Sequence, residues 1–494
     1  MPDALGENDE EKKRLREENK RLAKEIERLK RENEELRKKL SAVMGSPQML
    51  ASSDKTAEAG GVPSSKVFYR RSTPDDEKKP TGGQVGHMGH ARARPTPNTP
   101  PVVVSLDDCP ACGGELGAPR RTLTRTVTDI PPPSLLIYEV QTREYSCPHC
   151  LANVKGESPL PSHEQYGPNV VAWVVHHRIV GLSIVKIQES LERTFGLRVS
   201  EATILRMETQ AAEALGEDYE QIKKIIKGSD CLGGDESKFR VHGKNGWLWT
   251  FVDTLAVLYE VANTRGGSVP ARILEGFDGV LVRDGWKPYD KISCKGHQLD
   301  HLHTNRWLER VEVIHGIEPR GLLSHRAAKF TRAGRPPAEF IRFADGIRAR
   351  LREAILFIEK NAATITLDER KRKSDEYLAN MVSFLGEPWK DANAVRIGNE
   401  LRSRQDMLFT FIRVPNVPWH NNAAERAIRQ GVYHRKISGG RQTWPGAARL
   451  STLLSVFETC KKTGENFIDL VLKRLASRGT GADAGAPTGA ATGT

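Results

Sequence analysis

The chain has 494 residues, length for three or more modules, and a 38% hydrophobic content that can build real cores. Lys and Arg number 75 against 63 Asp and Glu, a formal charge of +12 that favours an anionic partner, nucleic acid foremost, although a merely soluble basic protein has the same balance. The seven cysteines, four of them in two CxxC pairs, do not read as a secreted disulfide framework; the first residues hold no apolar signal segment and no stretch is apolar for long enough to form a membrane helix, so the chain reads as cytoplasmic.

Residues 8–45 read as a coiled coil. Leu15, Leu22, Leu29 and Leu36 recur every seven residues as d positions, with Asn19, Ile26, Asn33 and Leu40 at a. Leu at d with an occasional Asn at a favours a parallel dimer, because facing amides pair and fix the register. A single charged helix is the plainer alternative. Acids interleave with the bases, so no separate basic block marks a DNA-reading extension. Residues 46–105, rich in Gly, Pro, Ser and Thr, read as a flexible linker. His87 and His90 within it lack a neighbouring Cys or acid, which favours a solvated loop over a metal site.

Residues 106–160 contain CPACGG and CPHC. Two CxxC knuckles aim Cys109, Cys112, Cys147 and Cys150 at one ion, the ligand set of a structural zinc ribbon, with RTLTRTVTDI and LLIYEVQTREY expected to supply hairpins. A redox dithiol is the alternative. Residues 165–225 read as helices. SIVKIQESLERTFG, a turn, then EATILRMETQAAEAL has a helix-turn-helix-like form, with Ser200 as the N-cap of the second helix. Helical hairpins that bind no DNA have the same pattern.

From Cys231 the pattern becomes α/β. GWLWTFVDT and AVLYEVANT read as a hairpin, SVPARILEGF as a short helix and GVLVRDG as a buried strand ending in an acid. A helical, Arg-rich stretch fills 305–410; from Arg320 to Arg352 there are nine Lys or Arg and only two acids, Glu339 and Asp345. A helix begins after Asn422, and AARLSTLLSVFETCKK forms another. Residues 476–494 read as a disordered tail.

Three acids carry candidate chemistry: Asp235 within or entering the first strand, Asp284 at the end of GVLVRDG, and Glu425 in the first turn of its helix. Carboxylates from adjacent strand ends and a facing helix can hold two magnesium or manganese ions, which take hard oxygen ligands. Each has a plainer reading. Asp235 reads as a turn acid with Glu236 a surface neighbour, and Asp284 as a turn residue. Glu425 reads as the third member of a capping box begun by Asn422, or as a partner of Arg429 one turn on.

The order of these motifs resembles the insertion-sequence-66 family of DDE transposases. The resemblance is carried by GGQVGHMGH at 82–90, the paired CxxC, YGPNVVAWVV at 166–175, GGDESKFRVHGKNGWLW at 233–249, RGG at 265–267, GVLVRDGWKPYD at 279–290, NNAAERAIRQ at 421–430, RK at 435–436 and LLSVFETCKKTGEN at 453–466. It implies an RNase H-like catalytic domain over 229–475 with a helical insertion, and catalytic, magnesium-binding carboxylates at Asp235, Asp284 and Glu425. His303, Arg306, Asn422 and Arg429 are expected in supporting roles. Asp300 and His301 stand where Cys and Trp are usual, and His420 where an Asp commonly precedes the paired Asn. The function implied is cleavage of element ends and strand transfer into target DNA. DNA, a second copy through the coiled coil and helper proteins are the expected partners, and the nucleoid the expected location. A non-catalytic DNA-binding derivative of a transposase is the runner-up, and a zinc-ribbon and coiled-coil scaffold a third reading.

Overall fold

The computed structural model of the protein describes residues 96–156, 164–314 and 337–479. The expected coiled coil at 8–45, most of the 46–105 linker with His87 and His90, the bases at 315–336 and the tail beyond 479 lie outside the described residues.

Two knuckles come first. The Cys109 N–H donates to Gly114 O and the Gly113 N–H to Cys109 O, both at 2.8 Å. Gly113 takes the left-handed φ of 74°. The second knuckle repeats this, Cys147 N–H to Ala152 O and Leu151 N–H to Cys147 O at 2.9 Å. Strand β1 (Glu144–Ser146) pairs antiparallel with β2 (Asn153–Lys155) around it. The longer hairpins expected of the two β-prone runs do not form; only Glu144 and Tyr145 of them lie in a strand. Strand propensity is realised on a pleated surface that is half-buried. Here Leu123, Val127, Ile130, Leu136 and Ile137 are 70–86% exposed, and three consecutive prolines, Pro131 to Pro133, can donate no ladder bonds between the runs.

Helices α1 (Pro168–Val180), α2 (Ile184–Phe195), α3 (Glu201–Ala214) and α4 (Gly216–Lys227) follow. Ser183 caps α2 by accepting from the Lys186 N–H, and Gly196 ends it at φ 69°. Ser200 caps α3 by accepting from the Thr203 N–H, the role its place in the sequence predicts. These helices share one apolar core with the sheet: Ile179, Ile187, Ile204 and Ile226 pack in the same cluster as Trp249, Phe251 and Leu454.

The sheet begins with β3 (Cys231–Val241) and β4 (Lys244–Val252), joined through His242 and Gly243 at φ 52° and 70°, as a two-residue hairpin turn requires. Antiparallel β5 (Val257–Ala262) follows, then α5 (Ser268–Ile273). The chain returns as β6 (Val280–Arg283), buried at every position, and β7 (Gly296–Leu299), both parallel to β3. The order across the sheet is β5-β4-β3-β6-β7. The short strand β7 has no β-branched residue to announce it.

Among the described residues, five helices separate β7 from the helix that bears Glu425: α6 (His301–Ile314), α7 (Ala338–Asn361), α8 (Leu367–Leu385), α9 (Ala392–Arg402) and α10 (Thr410–Arg413). They build a second core around Phe340, Phe343, Phe384 and Phe411. Then α11 (Asn422–Ser438), α12 (Trp444–Thr463) and α13 (Phe467–Gly479) close the chain. Helix α12 blunts the sheet edge: hydroxyls of Ser451, Ser455 and Thr459 accept from the β5 N–H groups of Val261, Tyr259 and Val257 at 3.2, 2.8 and 3.1 Å.

A buried ion triad ties the first helices to the sheet. Glu208 of α3 accepts from Arg178 of α1 at 2.7 Å and from Arg441 at 3.2 Å. Arg441 itself donates its N–H to Arg240 O at the end of β3. Removing the shared acid strands two buried guanidinium groups, so Glu208→Ala should lower unfolding free energy by about 3–5 kcal/mol in urea titration. A loss under about 1 kcal/mol, the worth of an exposed pair, would show that the triad is solvated.

Candidate functional site

Asp235 lies inside β3, and Asp284 directly follows β6. The two strands are parallel neighbours with Gly233 opposite Val282, so each acid stands two residues beyond that pair and on the same face. One strand further, Leu299 of β7 opposes Arg283, which puts Asp300 level with Asp284. Three acids thus lie level across adjacent strands, Asp235 within β3 and Asp284 and Asp300 just past the ends of β6 and β7. The loop after β6 is fixed from two sides. Fully buried Arg283 donates to Asp284 O at 3.1 Å, and Arg404 donates to Gly285 O at 2.9 Å. The Asp284 carboxylate accepts the Trp286 N–H at 2.9 Å.

Glu425 arrives on α11, which crosses the face these acids share. The helix comes close because Gly233 has no side chain: a Cβ there would lie 2.7 Å from Asn421 Oδ1 and 3.3 Å from Ala424 Cβ. The capping reading of Glu425 is overturned. Asn421, not Asn422, is the cap residue, and its amide donates to Gly234 O at 2.7 Å instead of capping the helix. Glu425 turns its carboxylate to Arg306 at 2.8 Å, not to Arg429, which is exposed. Asn422 is buried at the helix start.

Glu236 is the opposite of a surface residue. Strand alternation sends it to the far face of the sheet, where its side chain is 1% exposed. It accepts from the Tyr289 hydroxyl at 2.6 Å and from Arg265 Nε at 2.8 Å. Arg265 stacks 3.7 Å from the Trp286 ring and 4.8 Å from that of Trp247. The motifs around Asp235, RGG and Asp284 therefore meet in one brace directly behind the acids.

In front of them lies a chain of contacts from α6. Buried Asp300 accepts the Leu302 N–H at 2.9 Å and holds His303 Nδ1 at 2.7 Å. Arg306 reaches His303 Nε2 at 3.0 Å and Glu425 at 2.8 Å. Burial pushes Asp300 up, but His303, the Leu302 N–H and Arg306 outweigh it and hold the carboxyl below the usual range. Burial lowers His303, yet Asp300 outweighs that and raises it. His301, where the family resemblance expects Trp, is buried beside Phe411 with Nε2 at 2.8 Å from Leu408 O; burial lowers its pKa to about 4. His420 is half-buried, which lowers its pKa, and its buried Nδ1 has no partner.

Burial, then the charges of Glu236 and Asp284, push Asp235 up to about 8. A carboxylate at this position is thus disfavoured by its surroundings unless a cation joins it. The three expected acids do not form the tightest group. Among the described residues, Asp300, His303 and Glu425 have ligand atoms all within 4.8 Å of one another, and Asp235 and Asp284 stand outside that group. Like charges repel, and Arg306 supplies the counter-charge that draws Glu425 aside.

The knuckles present a second ligand set. Backbone groups of Ala111 and Cys112 and the Cys112 thiol lower the Cys109 pKa; Cys150 and His149 do the same for Cys147. Such turns favour thiolates, the form that binds zinc. Among the described residues, the four sulfurs do not make a group within 4.8 Å of one another. Sequence reasoning missed Asp300, Arg265, Tyr289 and Asn421. RGG, KPYD and NNAAER, already part of the resemblance, contain three of them, and Asp300 stood out as a departure from it, but none had been given a role.

Comparison with known proteins places these features in context. The model of the Transposase IS66 family matches residues 163–449, and that of the zinc-finger binding domain of transposase IS66 matches residues 107–150. Three proteins of Sinorhizobium fredii (strain NBRC 101917 / NGR234) are similar. Uncharacterized protein y4hP is 23% identical over 401 residues, 73% of this chain and 68% of the relative. Uncharacterized protein y4qI is 25% identical over 255 residues, 46% of this chain and 43% of the relative. Uncharacterized protein y4jO is 38% identical over 79 residues, 16% of this chain and 25% of the relative.

The raised pKa of Asp235 makes a stability prediction. The folded state binds the Asp235 proton more tightly than the unfolded state, so stability falls as pH rises from the ordinary 3.8 to about 8. Asp235→Asn is neutral throughout. In chelator, its melting temperature should exceed the parent's by a few degrees at pH 8 and by clearly less at pH 5. Equal gaps at the two pH values would mean that Asp235 is solvated.

Proposed function

This chain belongs to the IS66 family of transposases, and from that premise we propose that it cuts the ends of its element and joins them to target DNA by a DDE mechanism, with Asp235, Asp284 and Glu425 as the catalytic carboxylates. The observation that carries the reading is the register of β3 on β6, which sets Asp235 and Asp284 side by side on the face crossed by the Glu425 helix. The order of the sheet, three antiparallel strands followed by two parallel ones, together with a helical insertion before the glutamate, supports reading the catalytic domain over 229–475 as RNase H-like.

Asp235, Asp284 and Glu425 would hold magnesium or manganese through hard carboxylate oxygens. Two such ions, when bound, activate the attacking oxygen and stabilise the leaving one. The chain's own groups do the positioning. Arg283 and Arg404 fix the Asp284 loop, Glu236 and Arg265 brace it from behind, and Asp300 holds His303 towards the acids. Arg306 keeps Glu425 paired and must release it for Glu425 to take up a ligand role. The helices α2 and α3, in a helix-turn-helix-like arrangement, and the basic insertion are proposed DNA contacts. The 8–45 segment is a proposed dimerisation element, and the site of action is the nucleoid.

Glu425→Gln tests the assignment. On DNA carrying the element's own ends, the variant should fold and bind as the parent does, yet lose cleavage and strand transfer by at least about a hundredfold, as expected of a lost charge at a metal site. A variant that cuts like the parent removes Glu425 from the chemistry. A parent with no metal-dependent cleavage while DNA binding persists favours the non-catalytic reading.

Zinc is proposed as the structural ion of the knuckles at Cys109, Cys112, Cys147 and Cys150. Elemental analysis of the purified chain should find about one zinc per chain. The double variant Cys147→Ala, Cys150→Ala should lose it, and a folded parent free of zinc would refute the site.

A further inference from the structure

Helix α11 does more than deliver Glu425. Its outer surface presents Arg426, Arg429, Tyr433 and Lys436, all exposed. At about 100° per residue these four fall within an arc of about 80°, and that arc adjoins the direction of Glu425. The face opposite, with Ala424, Ala427, Ile428, Gly431 and His434, is buried. Tyr433 is 48% exposed and fills the gap between Arg429 and Lys436, with its ring edge closing on Gly181.

These cations have no internal work. Among the described residues, Arg426, Arg429 and Lys436 make no ion pair and no side-chain hydrogen bond, and Glu425 is the sole acid of the helix. Three arginines of the insertion differ. Arg348 is bonded to Glu312 at 2.6 and 2.8 Å, Arg342 pairs with Glu387 at 3.2 Å, and Arg350 stacks 3.9 Å from the Phe384 ring. Those three side chains hold helices together.

Building on the function proposed above, we propose that Arg426, Arg429 and Lys436 form a phosphate track on which duplex DNA lies as it leaves the catalytic acids. From Arg426 to Lys436 the helix rises about 15 Å. One DNA strand climbs that distance in about four nucleotide steps of about 3.4 Å each, so the three cations can neutralise backbone phosphates spaced over those steps. The contact reads no base, and it holds the strand in line with Glu425 whatever its sequence.

The test is the salt dependence of binding by the full chain to a short random-sequence DNA duplex. Each phosphate contact contributes about 0.9 to the slope of log affinity against log salt. The triple variant Arg426→Gln, Arg429→Gln, Lys436→Gln should lose between about two and three from that slope, and each single variant about one. A control of equal charge, Arg272→Gln, Arg413→Gln, Lys461→Gln, removes exposed cations already paired with Glu260, Asp375 and Glu458, and should keep the parent's slope. Circular dichroism and melting check the fold, and the single variants carry the test if the triple variant is unfolded. An unchanged slope in the α11 variants, or an equal loss in the control, overturns the track and leaves the proposed function standing. A parent without salt-dependent DNA binding overturns both.

Discussion

The close approach of α11 to the sheet is the constraint on which the rest depends. Gly233 and Gly431 make it possible from opposite sides, since a Cβ on Gly431 would meet Leu248 Cδ2 at 1.9 Å. Asn421 locks the helix start by reaching across to Gly234 O. A larger residue at either glycine would push the helix outward and carry Glu425 with it. The family motifs GGD and NNAAER are therefore two halves of one contact: the glycines open the space and the asparagine fills it.

That contact concentrates acids that would not otherwise sit together. Asp235, Asp284 and Asp300 lie level across three neighbouring strands, with Glu236 behind and Glu425 in front. The protein neutralises them unevenly. Glu236 has Arg265 and the Tyr289 hydroxyl, Asp300 has His303, and Glu425 has Arg306. Asp235 has only its neighbour's backbone N–H, at 2.8 Å, and burial with two nearby acids pushes it up. Charge left uncompensated in the middle of a compensated cluster marks where an external cation gains most. The same reasoning explains His301 in a position where Trp is usual. It sits among Phe409 and Phe411 with its pKa lowered, an aromatic replacement that adds no charge to the cluster.

Much of this was legible in the residues. The hairpin, the buried strand before Asp284 and the Ser200 cap follow from period, apolar runs and capping chemistry, all local properties. What was not legible is non-local. Glu236 looked like a surface acid because its partners, Arg265 and Tyr289, lie 29 and 53 residues away. Glu425 looked like a capping-box member because spacing cannot reveal an arginine 119 residues upstream. Strand β7 is four residues of weak β propensity, set by the sheet it completes. The β-prone runs of the knuckle region failed in the other direction: strong propensity with no surface to pack on.

The basic composition divides in the same way. A count of arginines over 320–352 pointed to the insertion as the DNA-facing element, yet among the described residues its arginines are largely engaged with acids and rings of neighbouring helices. A guanidinium held by a carboxylate has already given up part of its water and has little further attraction to offer a phosphate. A helix whose bases are unpaired and whose only acid faces the reaction centre is the opposite case. Net charge therefore indicates the class of partner, whereas the surface it meets is decided by which cations the fold leaves without partners. In this chain that distinction adds to the expected contacts the helix that also bears Glu425.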